Sequence, residues 1–305
     1  MFSKFIKTVI LLTFCSFPLL AKTVGILQVI EHPALDSTRQ GLIDTLQKTN
    51  PDLKITWRSA QGNITTALQL AQSFVGQKVD VIIALGTLPA QAAVKVCQET
   101  NIPVIFASVT DPDSAGVKGK ATGISNFIDV DKQIKFIRRL LPSLKKLGII
   151  YNPGEANSEK LLALTHQACG QEGITLEGAV ALKTSDVLTA AKKLAGKVDA
   201  IFINNDNTAL AAFPIIVGVA DVTRLPVFAS DANLIKSGAF AVLGPDQYQI
   251  GIQAANMVQK VLTENVNFQT LAIEYPTSVD VFINEEKANF LGLAIEPTTR
   301  NKDQS

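Results

Sequence analysis

The sequence predicts an α/β protein of two doubly wound, parallel-sheet lobes joined by a hinge. Three observations lead there. First, one pattern occurs twice. Residues 79–112 and 198–233 both open on Val-Asp and an apolar run, pass through a polar turn and an Ala-rich segment, and resume with a Pro-Val core: Pro103-Val104-Ile105-Phe106-Ala107-Ser108 against Pro226-Val227-Phe228-Ala229-Ser230. Each copy reads as strand, turn, helix, strand, which is a βαβ unit with two parallel strands. Second, short apolar runs alternate with segments of helical spacing along the whole chain, the pattern of a sheet wound on both faces. Third, no Pro- or Ser-rich linker divides the halves, so the lobes are joined by short crossings.

Taken in order, Thr23 to Ile30 is the first strand and Glu31-His32-Pro33 a turn. Leu35, Leu42, Ile43 and Leu46 keep helical spacing over about 35–48. Ile55 and Trp57 mark a second strand, and Ile64 to Val75 a second helix. After the first copy, 111–121 is irregular and Thr122-Gly123-Ile124-Ser125 is read as a crossover. Ile134 to Leu141 is a helix ended near Pro142, and Leu147 to Tyr151 a strand. Asn152 to Ser158 is a tight turn in which Asn157 or Ser158 suits a helix cap. A helix to about Gly170, a strand over Ile174 to Ala181, a helix over Ser185 to Leu194 and the second copy follow. Ala239 to Leu243 is a strand that crosses back, Gln247 to Leu262 a helix, and Val279 to Ile283 the last strand. The expected division is 22–123 with about 244–272 in one lobe, 124–243 with about 273–297 in the other, and a polar tail over 298–305.

Composition narrows the class. The chain has 305 residues, 47% hydrophobic and 18% charged, enough to bury two cores. A net charge of +1 gives no electrostatic footprint for nucleic acid. Lys4 and Lys7 precede an apolar run from Val9 to Leu20, with Ala21 after it, the pattern of a cleaved secretory signal over 1–21. Phe14 stands just before Cys15 where a lipid-anchored protein would want a small residue, so no anchor at Cys15 is expected. The implied place is the periplasm. Cys97 and Cys169 fall in helices of different lobes and read as buried free thiols.

No catalytic or metal constellation stands out. There are two His, no Gly-x-Ser-x-Gly, no phosphate-loop motif and no Cys/His spacing for a metal. A binding cleft without cofactor, rather than an enzyme, is the expectation. In open α/β sheets ligands lie at the carboxyl ends of the strands. The polar residues placed there are His32, Gly86-Thr87 and Thr110-Asp111 in the first lobe, and Tyr151-Asn152, Asp206-Asn207 and Asp231 in the second. Gly86-Thr87 opens a helix, where backbone N–H groups would hold a carboxylate or simply start the helix. Asp206 and Asp231 would accept from a ligand ammonium, one of them being only a helix cap; Asp231, directly after a buried strand, is the favoured partner.

These residues also carry a resemblance. Glu31-His32-Pro33-Ala34-Leu35-Asp36 with Arg39 and Gly41, Val109-Thr110-Asp111-Pro112, Gly148 to Glu155 with Asn157-Ser158, Asp206-Asn207-Thr208 and Phe228-Ala229-Ser230-Asp231 are similar to segments of bacterial ABC-transporter substrate-binding proteins of the tryptophan/tyrosine-binding type. Leu42 stands where that family suggests Phe. The resemblance implies a type I periplasmic-binding-protein fold, a monomer that takes an amino-acid ligand, aromatic by family habit, into the interlobe cleft by hinge closure, and delivery to an inner-membrane permease driven by a separate ATPase. A sensor subunit for a membrane histidine kinase or chemoreceptor is the alternative, since the same closed surface serves either partner.

Overall fold

The computed structural model describes residues 21–264 and 266–295. The secretory-signal segment before Ala21 and the polar tail lie outside the described residues.

The first lobe is built from β1 (Thr23–Gln28), α1 (Pro33–Thr49), β2 (Lys54–Ser59), α2 (Ile64–Gly76), β3 (Val81–Leu85), α3 (Thr87–Cys97), β4 (Val104–Ala107) and β5 (Thr122–Ile124). Its five strands are all parallel, in the order β2-β1-β3-β4-β5. Parallel strands covered by helices on both faces need apolar residues at every position. β3 and β4 meet that demand, since each of their residues is buried. The chain then crosses over 125–129 into the second lobe: α4 (Val130–Leu140), β6 (Lys146–Tyr151), α5 (Ala156–Gln171), β7 (Thr175–Val180), α6 (Val187–Leu194), β8 (Ala200–Ile203), α7 (Asn207–Ala211), α8 (Phe213–Val222), β9 (Val227–Ala229) and β10 (Ala241–Gly244). It returns to the first lobe with α9 (Gln247–Leu262) and crosses again to β11 (Asp280–Ile283) and α10 (Glu285–Leu291). The second sheet runs β11-β10-β9-β8-β6-β7, with β11 antiparallel to β10. Each sheet carries one apolar core on each face.

Helix α9 belongs to the first lobe because it packs on α1 at backbone range. A Cβ added to Gly251 would stand 2.1 Å from the Thr38 carbonyl oxygen, and one added to Gly41 2.2 Å from that of Tyr248. Glycine at both faces lets the two helices touch through their backbones. That contact brings the start of α9 against α1 and the end of β4.

Several local expectations change. Thr122–Ile124 is a strand paired in register with β4, so the crossing itself begins at Ser125. The helix of the second repeat copy is two helices, broken at Ala212 and restarted with Pro214 in the first turn of α8, where its missing N–H costs nothing. Helix α5 starts two residues earlier than a cap at Asn157 would set it and three earlier than one at Ser158, with Glu155 at the N-cap position and no side-chain cap bond there. A third crossing, over 271–279, runs beside the first: Ser125 donates to the Glu274 carbonyl and Glu274 donates to that of Gly123, each at 2.9 Å. Cys97 and Cys169 are buried and unbridged, and burial pushes both thiols up, Cys169 to about 11.

Candidate functional site

The carboxyl ends of both sheets face one another across an enclosed polar cavity. Its first-lobe wall holds His32, Ala34, Leu35, Thr87, Ser108 and Thr110, with Gln247 from the start of α9; its second-lobe wall holds Asn157, Asn205, Asn207 and Leu210; Asn126 comes from the first crossing. The space open to a water-sized sphere is about 10 Å³, room for roughly one water. A neighbouring recess of about 70 Å³ continues past Asn207 to Gln61, Gly62 and Leu182.

His32 reaches the cavity because it closes the turn after β1. Its Nδ1 accepts the Leu35 N–H at 3.4 Å and caps α1. Its Nε2 therefore carries the proton and donates to Asn207 Oδ1, 3.3 Å away on the opposite lobe. Burial keeps the imidazole pKa below its ordinary value, against the opposing effects of Asn207 and the charges of Asp36 and Glu155. Asn207 in turn donates its amide to Glu155 Oε2 at 2.6 Å.

Glu155 is buried and takes five donors. Oε2 accepts from Asn157 Nδ2 and from the backbone and side chain of Asn207; Oε1 accepts from the backbone and hydroxyl of Thr208. Its carboxylate thus occupies the N-terminus of α7. Asp206 caps the same helix through Oδ1, which accepts the Ala209 N–H at 2.7 Å, while Oδ2 accepts from Asn152 N and Ser158 Oγ, both at 2.6 Å. Burial and the nearby Glu155 charge raise the Asp206 carboxyl to about 7, although its three donors act against them.

At the other end of the cavity Gln247, at the first position of α9, has Oε1 accepting from Thr38 Oγ1 and Ser108 Oγ, each at 3.0 Å. Ser108 holds a left-handed backbone (φ 57°), rare outside glycine and a strain seen at functional sites. Ser230, its counterpart in the second repeat copy, donates to Asn205 Oδ1 at 2.9 Å. Of the repeated Ala-Ser pairs, the first puts Ser108 in the cavity wall and the second puts Ser230 behind Asn205, which lines it.

Of the residues singled out in the sequence, His32, Thr87, Thr110 and Asn207 line this cavity. Gly86 stands just behind it as the cap position of α3, with φ 96° that a side chain would strain. The others do not line it. Asp111 faces a separate groove and pairs with Lys160. Tyr151 lies over Gly178 of the neighbouring strand. Asn152 ties the turn together, donating to Thr208 Oγ1 and the Leu182 carbonyl. Both aspartates are caps, not one: Asp231 Oδ1 accepts the Asn233 N–H at 2.8 Å. No hydrogen bond of good geometry reaches Asp231 Oδ2, and burial raises this carboxyl to about 7 despite the Asn233 N–H and the Gln247 amide, with Asp246 adding to the rise. Ser108, Asn126, Asn205 and Gln247 were not among the candidate site residues, and Asn157 was read only as a helix cap. Their one advance sign was the Ser that closes each repeat copy.

The cavity lining is hydroxyl, amide and imidazole with Ala34, Leu35 and Leu210 between them, and among the described residues no cluster of three or more His, Cys, Asp or Glu is placed to hold a metal. No helix of the described residues is long and apolar enough to cross a membrane.

Comparison with known proteins adds family and fold. A model of the ABC transporter substrate binding protein family matches residues 23–300. The tyrosine-binding protein of Clostridioides difficile (strain R20291) is 31% identical over 89% of this chain and 81% of its own length. Among solved structures, a conserved domain protein from Vibrio cholerae is 36% identical with a TM-score of 0.87, over 92% of this chain and 97% of that one. An ABC domain from Streptococcus pneumonia in complex with L-Trp is 24% identical with a TM-score of 0.86, over the same shares. A ligand-free, open substrate-binding protein from Clostridium difficile is 28% identical with a TM-score of 0.66, over 91% and 97%.

Proposed function

The chain belongs to the family of ABC transporter substrate binding proteins, and from that premise we propose that it is the receptor of an importer for a small amino acid-like ligand, aromatic in side chain. Members of the family are solute-binding proteins and not enzymes. The fold is that of type I periplasmic binding proteins. In the proposed reading the ligand bridges the two lobes, closure about the three crossings traps it, and the closed form is handed to an inner-membrane permease served by a separate ATPase. The signal-like segment before Ala21 supports a periplasmic place for these events.

The observation that carries this reading is that the two lobes meet through polar side chains at their strand ends, bridged by His32 and Asn207. A ligand that contacts both walls favours the closed arrangement by its differential affinity. The comparisons support it in two ways. The chain matches the L-Trp complex in shape more closely than the open, ligand-free relative, although it is more identical in sequence to the latter. The Clostridioides difficile relative is a tyrosine-binding protein.

A thermal-shift screen of amino acids, sugars and polyamines tests the reading. Ligand at a hundred times its dissociation constant stabilises the fold by about 2.7 kcal/mol. A rise in Tm with at least one aromatic amino acid is expected; a rise with sugars and with no amino acid would overturn the proposal.

A further inference from the structure

The enclosed cavity offers little to a bulky apolar side chain. Its apolar lining is aliphatic and small, from Ala34, Leu35 and Leu210, and its open space is about 10 Å³. Thr110, however, is on two walls at once. It also borders a groove of about 550 Å³ on the flank of the hinge, within the roughly 300–1,000 Å³ of small-molecule sites. The floor of the groove is the third crossing, whose Leu271, Ile273 and Tyr275 face it; Phe127 of the first crossing and Leu164 of α5 close it. The wall between groove and cavity is the pair Thr110–Asn126, joined at 3.0 Å.

The rim carries two charges of each sign: Asp113 and Lys118 pair with each other within the first lobe at 2.8 Å, and Asp111 and Lys160 face one another from opposite lobes. Lys160 Nζ lies 3.6 Å from Asp111 Oδ2. That separation is too long for a good hydrogen bond. Asp111 is held in place independently of Lys160: Oδ1 accepts from the backbone of Asp113 and Ser114, and Oδ2 from the Ser114 hydroxyl at 2.9 Å. The carboxylate is therefore fixed on the first lobe, while its cationic partner rides on the second.

We propose that this groove receives the aromatic side chain of an α-amino acid whose zwitterionic head lies beside Thr110, the ammonium toward Asp111 and the carboxylate toward Lys160. The inference rests on the amino-acid reading above and names where its selectivity resides. The charge order fits a zwitterion inserted into a loose ion pair, each end meeting its complement. Aromatic rings from Phe127 and Tyr275 offer the edge and face contacts that an aromatic ligand gains beyond area alone. Because Leu164 and Lys160 belong to the second lobe and the remaining walls to the first lobe and the crossings, the groove is complete only when the lobes are together. An amino acid without a large side chain leaves it unfilled and binds more weakly.

Calorimetry with L-tryptophan and L-alanine tests this on the wild type, on Tyr275→Ala, and on Leu164→Ala/Tyr275→Ala, with melting curves beside each. Tyr275 is 58% exposed, so its truncation leaves the fold intact. The expected result is that L-tryptophan binds the wild type tightly and that the ratio of its affinity to that of L-alanine falls about tenfold or more in the double variant, with a smaller fall in Tyr275→Ala. A wild type that binds neither amino acid, nor any other in the screen, would remove the functional reading and this inference with it. A wild type that binds L-tryptophan, with the ratio unchanged in both variants, would remove the groove alone.

Discussion

The imidazole Nε2 of His32, at the end of the first strand of one lobe, lies 3.3 Å from the side-chain oxygen of Asn207, at the start of a helix in the other. The bond spans 175 residues of sequence and closes the cavity. Removing its acceptor as Asn207→Ala also takes one donor from Glu155. We expect a loss of about 1 kcal/mol of closed-state preference, a factor of about five in ligand affinity. Small-angle scattering should show a larger radius of gyration than wild type without ligand. Equal radii and equal affinities would show that the bond does not contribute to closure.

Glu155 is the hub of the second-lobe wall. An amide in place of its carboxylate faces donors with a donor and drops the charge that the N-terminus of α7 favours. Glu155→Gln should cost about 2–3 kcal/mol, read as a lower urea midpoint at unchanged m. An unaltered midpoint would mean that the five donors find water instead.

Asp231 and Asp206 set the pH dependence. Each is raised from 3.8 to about 7 in the fold. Between those values the folded chain holds protons that the unfolded chain has released, so stability falls as pH rises from about 4 to about 7. Asp231→Asn removes one of these titrations while keeping an oxygen for the Asn233 N–H. Its Tm should exceed that of wild type by more at pH 8 than at pH 5. A wild-type-like slope in the variant would contradict the buried, raised carboxyl.

The α1–α9 contact holds Gln247 against Thr38 and Ser108. Gly251→Ala places a methyl against the Thr38 carbonyl, and overpacking of this kind costs typically 1–3 kcal/mol. Because backbone cannot yield as a flexible side chain does, the upper end is expected. Ligand affinity should fall too, since the cavity wall moves with α9. Loss of stability with affinity intact would separate α9 from the site.

The architecture was legible because the chain states it twice. The Val-Asp strand openings and the Pro-Val-Phe-Ala-Ser closings mark βαβ units, and each buried strand is an unbroken apolar run. The site was only partly legible. His32, Thr87, Thr110 and Asn207 sit at strand ends, where topology alone puts a ligand. Gln247 was hidden because it enters from a helix that returns to the first lobe, 139 residues after the Ser108 it bonds. Glu155 was hidden because its carboxylate serves a helix 52 residues on, a relation no local pattern encodes. Asp231 was ambiguous for a physical reason: a carboxylate after a buried strand suits either a cleft or a cap, and its Oδ1 caps the next turn.

The central claim is that the two lobes close on an aromatic amino acid. It is tested most directly by titrating the mature chain with L-tryptophan, L-tyrosine and L-phenylalanine while recording small-angle scattering. The account predicts saturable binding of at least one of them, one per chain, with a smaller radius of gyration at saturation. Saturation by a sugar, with no amino acid binding and no change in radius, would contradict it.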